Sequence, residues 1–120
     1  MNVEDLSIVC HPELIGSVFY NLINNGLKFN NSDIPRITCD HTETEKNWIF
    51  SVCDNGIGIS AQYGEKIFEP FKRLQGKEYE GSGIGLYICQ RIANIHKGQI
   101  WVEETAEQGS CFKFSISKNL

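Results

Sequence analysis

The sequence predicts an α+β fold in which helices cover one face of a mainly antiparallel sheet. Three observations carry this. Residues 12–29 repeat Ile15, Phe19, Leu22, Ile23 and Leu27 at three- and four-residue intervals, the period of a helix with one apolar face. Residues 36–42 and 48–54 alternate polar and apolar side chains across a polar connection, as a β-hairpin does. Ile84, Ile88, Ile92 and Ile95 then recur at helical spacing, and two further alternating segments, 99–103 and 111–117, follow.

Each element has its own punctuation. Pro12 suits a first helical turn, because its missing N–H has no intrahelical partner there, and Asn30, Asn31 and Ser32 stop the helix. Residues 55–60 form a glycine-bearing loop, and 61–68 read as a short helix ended by Pro70. Residues 72–80 are charged and without period, as surface loops are. Lys97 and Gly98 close the isoleucine-striped helix, and Gln108 and Gly109 supply the last turn. No repeat or linker divides the chain, so residues 1–120 are expected to form one domain.

Composition narrows the function classes. The 120 residues are 41% hydrophobic and 22% charged, enough for one core, and no apolar run approaches the ~20 residues of a membrane span. The net charge of −4, without a basic stripe, argues against nucleic acid or a membrane surface as partner. The five cysteines form no C-x-x-C pair, which argues against both a disulfide framework and a zinc site. A cytoplasmic location is expected.

On the first helix, Asn21, Asn25 and Lys28 fall within ~60° of one another, away from the apolar side. A solvated helix face is the commonest meaning of such a stripe. The residue types point elsewhere, because asparagine is a poor helix former and two of them a turn apart imply specific partners. An amide oxygen suits Mg²⁺ where phosphates provide the charge, and a lysine one turn on suits those phosphates.

Two glycine loops add to this. Asp54-Asn-Gly56-Ile-Gly58 directly follows an apolar strand. Asn-Gly is ordinarily a hairpin turn, yet no strand returns from it. Its glycines would let the backbone approach a flat ring, and Asp54 would accept the exocyclic amine of adenine. Gly81-Ser82-Gly83-Ile84-Gly85 opens a helix, where backbone N–H groups converge on an anion. It lacks the G-K-[ST] ending of a P-loop and follows no strand, so neither Walker nor Rossmann geometry fits.

Together, Asn21-Leu-Ile-Asn-Asn25-Gly-Leu-Lys28-Phe29, Asp54-x-Gly56-x-Gly58, Phe68-Glu-Pro-Phe71 and Gly81-Ser-Gly83-Ile-Gly85-Leu86 resemble the N, first glycine, F and second glycine boxes of sensor histidine kinases, in family order. The catalytic and ATP-binding domain of those kinases belongs to the GHKL superfamily, with gyrase, Hsp90 and mismatch-repair ATPases. The resemblance runs from about His11 to Phe114. It implies a two-layer α/β sandwich, the Bergerat fold, with a mixed sheet of about five strands backed by three helices.

By the same resemblance, Asn25 is the Mg²⁺ ligand, Lys28 a phosphate contact and Phe29 a wall of the adenine pocket. Asp54 reads the adenine amine, while Gly56, Gly58 and Ile59 line the pocket. Arg73 reaches the terminal phosphate, and Gly81, Ser82, Gly83, Ile84, Gly85 and Leu86 shape the lid and phosphate side. Phe68 and Phe71 are lid anchors. Asn21 stands where the ATPase branches carry a water-activating glutamate, and an amide has no comparable basicity.

The implied activity is transfer of the ATP γ-phosphate to a histidine on a separate dimerisation and phosphoacceptor domain, upstream of a response regulator. The parent kinase is expected to be a homodimer and this segment a monomer. His11, His41 and His96 are not in a phosphoacceptor context, and His96 is expected to be structural. Three departures from the family pattern are Gly26 for alanine, His11 for aspartate and Cys111 for threonine. Two alternatives stand beside the kinase: a degenerate GHKL module with a regulatory or docking role, and a hydrolytic ATPase.

Overall fold

A computed structural model of the chain describes residues 8–58, 66–69, 84–105 and 108–119. Its first helix, α1 (Pro12–Lys28), has proline at the start, Glu13 in the first turn and Lys28 in the last, each sign matching the helix dipole. Val18, Leu22 and Gly26 form its buried line, flanked by half-buried Ile15, Phe19 and Ile23. Leu27, expected on the apolar face, is 48% exposed. It lies ~140° around the helix from Leu22, whose line sets the contact direction.

The strands are β1 (Ile37–Glu43), β2 (Asn47–Asp54), β3 (Ile100–Glu104) and β4 (Ser110–Ser117). They form one sheet in the order β1-β2-β4-β3, antiparallel throughout. Phe50, Val52, Ile100, Phe112, Phe114 and Ile116 are buried on the face that meets the helices. Phe19 from α1 meets Phe50 and Phe114 edge-on at 5.8 and 5.2 Å, and those two rings stack at 5.3 Å. Alternation places Ser51, Cys53, Cys111, Lys113, Trp101 and Glu103 on the opposite face, whose mainly polar character fits an antiparallel sheet solvated on one side.

The α+β sandwich expected from the sequence is therefore present, with different counts. Among the described residues there are four strands rather than about five, none of them parallel, and two α-helices with a 3-10 turn at Lys66–Phe68. Most of the short helix expected over 61–68 lies outside the described residues. None of the described helices is long and apolar enough to cross a membrane.

The cysteines require a correction. Cys53 and Cys111 are joined by a disulfide, contrary to the expectation from their scatter along the sequence. The β2–β4 register sets them directly opposite each other on one sheet face, a juxtaposition that a separation of 58 residues conceals. Cys10, Cys39 and Cys89 are free.

In α2 (Gly85–Ile95), the isoleucine stripe is only the edge of the buried face. Ile88 and Ile95 are 39% and 54% exposed, whereas Cys89, Ile92 and Ala93 are buried. Small side chains at 89 and 93 allow the helix to come close to its neighbours, and the Cys89 sulfur sits 4.0 Å from the Val18 carbonyl of α1. That burial pushes the Cys89 thiol up to about 12.

The end of α2 is a Schellman closure: Gly98 N–H donates to Ala93 and Lys97 N–H to Asn94, with Lys97 at φ 55°. Glycine at 98 serves close approach, because a Cβ there would run into the Ser115 carbonyl of β4. His96 is fully buried. Its Nε2 accepts the His11 N–H at 3.0 Å, so its proton must lie on Nδ1, 2.8 Å from the Ile92 carbonyl. The histidine thus ties the start of α1 to the end of α2, the structural role anticipated for it. Replacing Gly98 with alanine is expected to cost roughly 2 kcal/mol through this backbone clash; an unchanged urea midpoint would contradict the closure described.

Candidate functional site

Asp54 ends β2 with both carboxylate oxygens engaged. Oδ1 accepts the Gly56 N–H at 2.9 Å, and Oδ2 accepts the Ser110 hydroxyl at 3.1 Å. Asp54 and Ser110 are register partners in the sheet, so backbone pairing fixes both ends of the second bond. Each oxygen keeps a further lone pair for an outside donor. Ser110 is buried and was not among the residues singled out from the sequence. Only the strand pairing identifies it.

α1 passes close to this carboxylate. A Cβ on Gly26 would lie 3.0 Å from the Asp54 Cβ and 2.5 Å from Ile37 Cδ1. The end of Ile37 therefore fills the space in which a larger residue than Gly26 would sit. Phe29 caps α1, and its carbonyl accepts the Ile57 N–H at 2.9 Å. A Cβ on Gly56 would collide with that same carbonyl. Glycine at 56 thus lets the loop close against the end of α1. Gly58 adopts φ +79°, the left-handed region that favours glycine.

Further back along α1, Asn21 lies against the start of α2. Its Oδ1 would be 2.7 Å from a Cβ on Gly85, while its Nδ2 donates to the Ser17 carbonyl at 2.8 Å. Asn25 is half-buried, and among the described residues none hydrogen-bonds its side-chain amide. Lys28 is exposed in the last turn. One helix therefore borders the Asp54 loop through Gly26 and Phe29 and the α2 N-terminus through Asn21. Ile84, the residue before α2, accepts the Ile88 N–H, and its own side chain makes no cap bond. Leu86 packs against the core.

No group of three or more His, Cys, Asp or Glu side chains is assembled for a metal among the described residues. The neutral amide of Asn25, which no described residue hydrogen-bonds, is of a type that fits Mg²⁺ brought in with phosphates rather than held in an all-protein cage. Ile59, Arg73, Gly81, Ser82 and Gly83, with Phe71, lie outside the described residues. Phe68 is buried and meets Phe112 edge-on at 6.3 Å, as an anchor would.

A second residue missed from the sequence is Asn55. Its Oδ1 accepts from Asn30 Nδ2 and the Arg36 N–H, both at 2.8 Å, and its Nδ2 donates to the Ile34 carbonyl at 3.0 Å. Its backbone carbonyl accepts the Ser32 hydroxyl at 2.7 Å. The loop that follows α1 is thereby clamped to the loop that follows β2. The signal was present in the sequence, because an Asn-Gly pair with no returning strand must use its asparagine for something other than a hairpin.

With these elements placed, comparison with known proteins is informative. Residues 10–120 match the family described as histidine kinase-, DNA gyrase B- and HSP90-like ATPase. The chain is 49% identical over 100 residues to the phytochrome-like protein Cph1 of Synechocystis, covering 82% of this chain and 13% of that protein. It superimposes on the catalytic domain of the histidine kinase ThkA with a TM-score of 0.81 at 31% identity, over 98% of this chain and 76% of that one. Full-length ShkA, solved in complex with AMPPNP, aligns with a TM-score of 0.75 at 25% identity, over 86% of this chain and 21% of that one.

The chain belongs to the histidine kinase-, DNA gyrase B- and HSP90-like ATPase family, and within it to the catalytic domains of sensor histidine kinases. It spans 13% of the length of Cph1 and 21% of that of full-length ShkA. Asn55→Ala removes three side-chain bonds from the clamp and is expected to cost about 2–3 kcal/mol of stability, at about 1 kcal/mol per bond. Urea unfolding measures this, and a loss below about 0.5 kcal/mol would show that the two loops are held by other means.

Proposed function

We propose that this chain binds Mg-ATP and donates the γ-phosphate to a histidine carried by a separate dimerisation and phosphoacceptor domain, for onward transfer to a response regulator. The observation that carries the reading is that α1 borders both halves of the site. Gly26 abuts Asp54, and Asn21 abuts Gly85 at the opening of α2. A nucleotide laid along α1 would place adenine at one end and phosphates at the other.

In this reading Asp54 accepts the adenine N6 amine, its carboxylate aimed by Gly56 N–H and Ser110 Oγ. That acceptor favours adenine over guanine, which presents a carbonyl at the equivalent position. Phe29, Gly56, Gly58 and Ile59 wall the base. Asn25 provides the amide oxygen for Mg²⁺, which when bound neutralises phosphate charge. Lys28 meets the phosphates, and the first N–H groups of α2, from Gly85 and Leu86, face them with the positive helix end. Arg73, Gly81, Ser82, Gly83 and Ile84 enter through the motif match, as terminal-phosphate contact and lid.

Asn21 gives the site its direction of chemistry. Its amide is tied back to Ser17 and cannot take a proton from water, so phosphate is held for a better nucleophile than water. A neutral imidazole delivered by the acceptor domain meets that need. Supply of ATP favours a cytoplasmic setting, and residues 1–120 are read as one catalytic unit of a longer, homodimeric kinase.

Calorimetric titration with Mg-ATP should give saturable binding at a single site, while phosphate release by the isolated chain stays near background. Transfer should appear only when the acceptor domain is added; absence of binding would overturn the proposal, and binding without transfer to a matched acceptor would favour a regulatory module. Asp54→Asn should weaken ATP binding at least tenfold, about 1.4 kcal/mol, and erase the preference over GTP. Asn25→Asp should alter the Mg²⁺ dependence of binding. Unchanged titrations for both variants would refute the residue assignments.

A further inference from the structure

The structure places the Cys53–Cys111 pair one rung from the residues that hold the adenine-reading carboxylate. Cys53 immediately precedes Asp54, Cys111 immediately follows Ser110, and the two rungs Cys53↔Cys111 and Asp54↔Ser110 are consecutive in the β2–β4 ladder. Asp54 is the last residue of β2 and Ser110 the first of β4. Pairing frays more readily at a ladder end than in its middle, and fraying here would separate Ser110 Oγ from Asp54 Oδ2.

We propose that Cys53 and Cys111 form a reversible thiol–disulfide exchange site, reacting with low-molecular-weight disulfides, whose oxidised state holds the adenine end of the site in its binding geometry. Both cysteines are half-buried on the mainly polar sheet face, opposite the face that packs on the helices, so a small reagent has access from solvent. The other cysteines do not compete for this bond. Cys39 is opposite Val52 and so lies on the other sheet face, and Cys89 is buried between the helices. Cys10 precedes α1.

The exchange balances without another reactant. One cysteine thiolate attacks the reagent disulfide, forming a mixed disulfide and expelling one reagent thiolate. The second cysteine thiolate then attacks the protein sulfur, closing Cys53–Cys111 and expelling the other. Two protein thiols are oxidised, one reagent disulfide is reduced to two thiols, and the two protons leave with them. Reduced reagent thiol drives the reverse. The closed bond limits the ladder end to paired conformations, so less ordering is needed when adenine binds Asp54. The effect on affinity rests on the adenine role proposed for Asp54.

The test incubates the chain with oxidised or reduced glutathione, counts thiols by maleimide labelling and intact mass, maps the bridge by peptide analysis, and titrates each form with Mg-ATP. Oxidised glutathione should remove two free thiols, both mapped to Cys53 and Cys111, and reduced glutathione should restore them. The oxidised form should bind ATP roughly threefold or more tightly. Cys111→Thr should bind ATP with the affinity of the reduced form and show no redox response. Failure to form this bridge, or equal affinity in the two forms, overturns the proposal while leaving the nucleotide site intact. Absence of ATP binding in both forms overturns the nucleotide reading and the affinity effect that rests on it.

Discussion

The close seating of α1 on the end of β2 is the constraint on which the rest of the site depends. Gly26 lets the helix backbone come against Asp54, and Gly56 lets the next loop come against the Phe29 carbonyl. The Ile57 N–H then closes a backbone bond to that carbonyl. A side chain at either glycine would push helix and loop apart. Because Asn21 and Asn25 lie on the same helix, its seating against β2 also sets how far they stand from the start of α2.

Sheet pairing provides the second fixed reference. The β2–β4 register brings Ser110 opposite Asp54 and Cys111 opposite Cys53. A one-residue slip would move every one of these side chains to the other face. The aromatic contacts of Phe19, Phe50 and Phe114 oppose such a slip, since they would be lost from the core with it. Packing of the core therefore determines the hydrogen bonding of a carboxylate at its edge. The Asn55 clamp extends this control to the loop leaving α1.

The sheet faces divide the work. The face toward the helices holds the core and aims the site residues, whereas the opposite face carries polar pairs such as Lys113 and Glu103. There the Trp101 indole N–H, followed by Lys113, holds the exposed Glu103 carboxylate below its usual range. The covalent bond between strands on this polar face lies one rung from the Asp54–Ser110 pair, to which it is joined only through the backbone of adjacent residues.

By itself the sequence determined the α+β class, the hairpin, both long helices and the family, because helical and strand periods and glycine placement are local properties. It also singled out Asn21, Asn25, Asp54 and Gly85 as candidates, because their residue types are unusual for their positions. The exposure of Leu27, Ile88 and Ile95 was not legible in it, because a periodic stripe gives the apolar side of a helix but not the line of closest contact, which the neighbouring element selects. The role of Ser110, the partners of Asn55 and the Cys53–Cys111 bond were decided only by tertiary structure. Each depends on a partner 19 to 58 residues away, brought near by strand register and helix seating, and no local pattern encodes those distances.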